Sequence, residues 1–127
     1  MIFGCGIDIE ETKRFDKHYF ENGILSNLIY DLFTSKEIEN FSVFGKEAFL
    51  KGFCFKEAFY KALNNPDFDF KDVEIIFENQ NDFKIYKSKK MDSIFNYLKI
   101  ADIKVDIQQA DKYAVVQVLL LKENDDK

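Results

Sequence analysis

The stretch EAFLKGFCFKEAFYKAL, residues 47–63, carries Phe49, Phe53, Phe59 and Leu63, with Ala48, Ala58 and Ala62, at the spacing of one helix face. Residues three and four apart share a side of a helix, so this is the longest and most strongly patterned helix of the chain, beginning near Lys46. Upstream, residues 2–9 read as a strand, and residues 11–22 as a helix stopped near Asn22-Gly23, where glycine suits a left-handed end. A short helical stretch follows over 24–32. Thr34 and Glu37 then form a capping box that opens a helix running to about Phe41. Downstream, Asn64-Asn65-Pro66-Asp67 is a turn.

Beyond that turn the pattern changes. Val73–Phe77 and Phe83–Tyr86 are rich in branched and aromatic residues around the turn Asn79-Gln80-Asn81-Asp82, which predicts a hairpin. Ser88–Leu98 reads as a helix with Met91, Ile94, Phe95 and Leu98 on one face. Ile103–Gln109 alternates, and Tyr113–Leu121 is almost unbroken valine and leucine, so a half-buried strand lies beside a fully buried one. Helices crowd the first half and strands the second. The predicted class is α+β, an antiparallel sheet with helices packed on one side.

A chain of 127 residues, 46% hydrophobic and 17% aromatic, has the material for one core, and a single domain over 1–127 is expected. A net charge of −5 argues against a general nucleic-acid or anionic-membrane binder. The N-terminal apolar run has no basic flank and is broken by Gly4, Gly6 and Asp8; no later run approaches the ~20 apolar residues of a membrane span. A cytoplasmic protein is expected. Cys5 and Cys54, each in an apolar setting, suit two buried thiols.

In the first strand Gly4, Gly6, Asp8 and Glu10 share one face, and Phe3, Cys5, Ile7 and Ile9 the other. The apolar set is expected to take the core. The glycines then leave space beside Asp8 for a ligand or a crossing helix, although from this stretch alone Asp8 reads first as an acid at the strand end capping the next helix. In the long helix Glu57 and Lys61 stand four apart, an arrangement that by itself is a common surface pair worth ~0.2–0.5 kcal/mol.

Taken together, GIDI with ETKRF, FT followed by a glutamate, KEAFYKAL and YAVVQVLLL occur in the order shown by one family. The chain resembles the holo-acyl-carrier-protein synthases, small 4′-phosphopantetheinyl transferases, over nearly its full length. The likeness is strong in residues 4–15 and 53–63 and weak between 66 and 105. The resemblance implies a phosphopantetheinyl transferase fold assembled as a homotrimer. Each active site would be built from the first-motif region of one chain and the KEA helix of another. It implies Mg²⁺ held by Asp8 and Glu57, and coenzyme A as substrate with its pyrophosphate on the ion. Lys61 would neutralise phosphate charge during transfer to a serine of apo-acyl carrier protein, with release of adenosine 3′,5′-bisphosphate. Catalysis would rest on Asp8, Glu57 and Lys61, with Glu57 the candidate base. His18 reads as an exposed surface residue, while Phe15 and Tyr19 read as packing inward. Lys13, Arg14 and Lys17 would dock the acidic carrier.

Departures from the family pattern fall on coenzyme A contacts. Gly52 stands where members carry an arginine, with Lys51 beside it. Asn64-Asn65-Pro66 replaces a glycine-rich turn, and Gln109 takes the place of a histidine. Lys51, Lys61, Asn64 and Gln109 are accordingly the candidate coenzyme A contacts. The rival reading is a carrier-binding module that has lost productive coenzyme A binding.

Overall fold

The computed structural model describes residues 1–21 and 24–124. Strand β1 (Ile2–Glu11) runs into helix α1 (Thr12–Tyr19), and a small ladder pairs β2 (Phe20–Glu21) with β3 (Ile24–Leu25). Helices α2 (Ile29–Leu32), α3 (Ser35–Phe44) and α4 (Lys46–Leu63) follow. Then come the hairpin β4 (Val73–Phe77) and β5 (Phe83–Lys87), helix α5 (Lys89–Leu98), and strands β6 (Ile100–Gln109) and β7 (Tyr113–Lys122). The principal sheet is antiparallel in the order β1-β7-β6, and α4 packs across β1 and β7. Ala114, Val116, Val118 and Leu120 of β7 are fully buried in one core with Phe55, Ala58 and Phe59 of α4. The mixed architecture with an antiparallel sheet is the one expected.

Helix α3 ties the hairpin to this core. Thr34 and Glu37 make the capping box, with Thr34 Oγ1 accepting from Glu37 N at 3.2 Å and Glu37 Oε1 accepting from Thr34 N at 3.1 Å. Glu37 does more than cap. Its Oε2 accepts from Ile75 N at 2.9 Å, and Asn40, one turn on, bonds both N and O of Phe77 at 2.8 and 2.9 Å, so α3 side chains satisfy backbone groups of β4. Lys56 of α4 completes the junction. Its ammonium, fully buried, donates to Glu37 Oε1 at 2.6 Å and to the carbonyls of Phe70 and Val73 at 2.7 and 2.8 Å.

Several expectations are corrected. Helix α1 ends at Tyr19, and its anticipated stop at Asn22-Gly23 lies outside the described residues. Only Ile29–Leu32 of the 24–32 stretch is helical, because Ile24–Leu25 pairs with Phe20–Glu21. Helix α3 continues past Phe41 to Phe44. The largest correction concerns β1, whose glycine face turns inward while Ile7 and Ile9 remain 50% and 60% exposed and Cys5 is also exposed. Backbone packing explains the reversal. A Cβ on Gly4 would collide with the carbonyl oxygen of Ala62, and one on Gly6 with that of Ala58, so the two glycines let α4 lie directly on the strand. Gly6→Ala is therefore expected to cost ~1–3 kcal/mol in chemical denaturation, since backbone must give way.

Candidate active site

That close approach decides where Asp8 goes. Two residues beyond Gly6 on the inward face, Asp8 is 7% exposed and meets the side of α4 one turn before its end. Lys61 Nζ donates to Asp8 Oδ1 at 3.0 Å and to the carbonyl of Ile7 at 3.0 Å. Glu57, one helical turn before Lys61, feels both groups. Burial and then the Asp8 charge raise the pKa of its carboxyl above the ordinary value, while Lys61 opposes them. Hydrogen bonding to Asp8 raises the Lys61 ammonium in turn. Asp8, distant in sequence from Glu57 and Lys61, thus comes together with them within one chain. The expected division of the two motifs between different subunits is corrected accordingly.

Glu10 belongs to the same cluster and was not among the predicted site residues. Burial first, then the Asp8 and Glu57 carboxylates, push its pKa up from 4.5 to about 8, with Arg14 pulling the other way. The available signal was the Asp8-Ile9-Glu10 spacing, which puts both acids on one strand face. A carboxyl whose folded pKa exceeds its unfolded one stabilises the fold fully below the unfolded pKa and loses that contribution as pH rises through the folded one. Glu10 and Glu57 have the same sign. The ligand-free melting temperature should therefore fall between pH 5 and pH 8, and Glu10→Gln should flatten the fall; calorimetric melts at fixed ionic strength check this.

Beside the acids lies a pocket of about 300 Å³ lined by Glu10, Arg14, His18, Tyr19, Phe53 and Glu57, among others. His18 is exposed, as expected, with its ring edge-on to Tyr19 at 4.8 Å. Phe15 is buried, Tyr19 is half-buried, and Lys13, Arg14 and Lys17 are exposed on α1. The Cys54 thiol donates to the Asp8 carbonyl at 3.0 Å, and burial followed by the Asp8 charge pushes its pKa up, which makes it a packing group and not a nucleophile.

The coenzyme A candidates divide into three places. Lys51 and Gln109 line one cavity of about 260 Å³ with Phe77 and Gln80, and Lys51 Nζ donates to the Gln80 carbonyl at 3.2 Å. Lys61 is with the acids. Asn64 lies outside both cavities and takes the left-handed conformation that ends α4, at φ 50° and ψ 51°, so helix termination accounts for its place. Gly52 has an equally local reason: a Cβ there would lie 2.7 Å from the Phe41 ring.

Could these residues hold a divalent ion? Among the described residues no three His, Cys, Asp or Glu side chains are arranged to hold one. Asp8 Oδ2, however, is buried without a hydrogen-bond partner. Two carboxylates, one with a free buried oxygen, fit an ion such as Mg²⁺ that takes its remaining ligands from water and phosphate. No helix among the described residues is long and apolar enough to cross a membrane.

Comparison with known proteins places the chain in a family. The family model described as the 4′-phosphopantetheinyl transferase superfamily matches residues 4–117. A holo-[acyl-carrier-protein] synthase of Caldicellulosiruptor saccharolyticus is 33% identical, over 97% of this chain and 99% of its own. Among solved structures, the holo-[acyl-carrier-protein] synthase of Neisseria meningitidis superposes with a TM-score of 0.79 at 21% identity, covering 96% of this chain and 100% of that one. The Helicobacter pylori enzyme in complex with coenzyme A gives 0.73 at 23%, covering 91% and 98%. By its family match and its near full-length relative, the chain belongs to the 4′-phosphopantetheinyl transferase superfamily, in its holo-[acyl-carrier-protein] synthase branch.

Proposed function

We propose that this chain, as one domain over residues 1–127, transfers the 4′-phosphopantetheine group of coenzyme A to a serine of an apo-acyl carrier protein in a Mg²⁺-dependent reaction. The observation that carries this reading is the convergence of Asp8, Glu57 and Lys61 on one buried corner of a family-type fold. Bound Mg²⁺ would screen the pyrophosphate charge, with Asp8 and Glu57 as its protein ligands. The serine oxygen forms a bond to the phosphorus that carries pantetheine, and the bond from that phosphorus to the bridging oxygen breaks. Adenosine 3′,5′-bisphosphate leaves. Glu57 takes the serine proton, and Lys61 swings onto the phosphates and neutralises charge there.

Lys51 offers the nucleotide a point charge in place of the family's arginine, whose position is closed by the Phe41 ring over Gly52. Gln109 faces the same cavity. Arg14, at the mouth of the aromatic pocket, together with Lys13 and Lys17 on the same helix, receives the acidic carrier. The outer face of β1, where Ile2, Ile7 and Ile9 are 58%, 50% and 60% exposed, packs against further copies in a homotrimer. A cytoplasmic location accompanies this reading.

The test is to incubate the protein with coenzyme A, Mg²⁺ and an apo-carrier protein, and to weigh the carrier by mass spectrometry. Gain of one phosphopantetheine mass, abolished by chelator, is expected. Carrier binding with no mass gain, beside a transferase control that works, would instead establish the carrier-binding module.

A further inference from the structure

Asp8 and Lys61 are unequal partners. The Asp8 side chain is 8% exposed and fixed in a strand, whereas Lys61 is 49% exposed on a flexible four-carbon stem. The ammonium reaches inward to Asp8 Oδ1 and the Ile7 carbonyl, both at 3.0 Å, and leaves Asp8 Oδ2 buried with no partner. Around this pair, Glu10 and Glu57 add two further carboxyl groups and Arg14 one exposed cation. The corner therefore already contains one cation where the proposed ion must sit. We propose that Lys61 is the built-in counter-ion of the site: it stays on Asp8 in the free protein, weakens binding of a bare divalent ion, and moves to the pyrophosphate when coenzyme A arrives. Metal and coenzyme A thereby bind cooperatively.

This inference rests on the transfer reading for the identity of the anion, and the physical argument is one of charge placement. An ammonium touching the carboxylate that must ligate the ion stands within a few ångströms of it, and like charges at that separation repel enough to lower affinity by about tenfold even when well solvated. Once a pyrophosphate lies alongside, the ammonium has a more highly charged partner, and its attraction to the phosphates offsets its repulsion of the ion. Its half-exposed stem allows the move without disturbing β1 or α4. By linkage, whatever factor coenzyme A adds to metal affinity, metal adds to coenzyme A affinity.

The test compares the wild-type protein with Lys61→Met and Lys61→Arg, measuring Mn²⁺ affinity by electron paramagnetic resonance with and without coenzyme A. For wild type, Mn²⁺ alone should bind weakly and coenzyme A should tighten it at least about tenfold. Lys61→Met should bind Mn²⁺ alone about tenfold more tightly than wild type while binding coenzyme A more weakly, and Lys61→Arg should keep the wild-type Mn²⁺ affinity within about twofold. Unchanged or weaker binding of Mn²⁺ alone by Lys61→Met overturns the proposal. If Lys61→Met gains Mn²⁺ affinity but no protein binds coenzyme A, the counter-ion role stands and the transfer reading falls. Absence of Mn²⁺ binding in all three removes both.

Discussion

Asp8→Asn is expected to lower kcat/KM for carrier modification by at least ~10²-fold while leaving the fold intact, since the amide keeps the shape of the side chain and can still accept from Lys61. The neutral group loses the charge that would hold the ion. Glu57→Gln should fall by a similar factor, and the double variant should be little worse than either single one, because residues that serve one ion act as a unit. Steady-state transfer assays across Mg²⁺ concentration check this. Near wild-type rates for both single variants would remove the acids from the reaction.

Lys56→Met is expected to destabilise the protein by ~3–5 kcal/mol, the effect of stranding one member of a buried charge pair. Its neighbour in sequence, Glu57, faces the site, but the Lys56 ammonium points the other way and satisfies Glu37 and two backbone carbonyls with no exposure to water. Methionine fills similar volume and donates nothing. Glu37 would keep its bonds from Thr34 and Ile75 but lose its counter-charge. Urea denaturation should show a lower midpoint at unchanged slope. Adding Glu37→Gln should cost less than the sum of the two single losses, because the second change removes the stranded charge.

The junction of Lys56 with Glu37 shows what was legible in the sequence. The capping box of Thr34 and Glu37 is a local pattern with a local cause, and it was read correctly. The same glutamate's bond to Lys56 joins residues 19 apart on different helices, and no periodicity in either reveals it. Local chemistry likewise made the hairpin legible: Asn79 Oδ1 accepts from Asn81 and Asp82 at 2.8 Å each, a turn read from composition.

For β1 the alternation correctly sorted the side chains into two faces but assigned the faces to the wrong sides. Hydrophobicity favoured Cys5, Ile7 and Ile9 for the core, whereas the decisive fact was the absence of side chains at Gly4 and Gly6, which brings helix backbone onto strand backbone. Burial achieved by glycine carries no hydrophobic signal. The isoleucines left exposed on the outer face are the reason the sequence misled.

At the site, Asp8, Glu57 and Lys61 were legible only in combination, since each alone reads as an ordinary strand-end acid or helix pair. Glu10 shares the Asp8 face of the strand by its spacing, but with the apolar face expected to take the core, that spacing gave no reason to bury it. Asn64 was included for its position in the family pattern, while its backbone shows a helix end.

The most direct measurement is a crystal structure of the protein with coenzyme A and Mn²⁺, located by anomalous scattering. The expected result is one Mn²⁺ between the Asp8 and Glu57 carboxylates of the same subunit, with pyrophosphate oxygens completing its shell and Lys61 moved from Asp8 to the phosphates. Mn²⁺ elsewhere, or coenzyme A bound with Asp8 and Glu57 both free of metal, would contradict it.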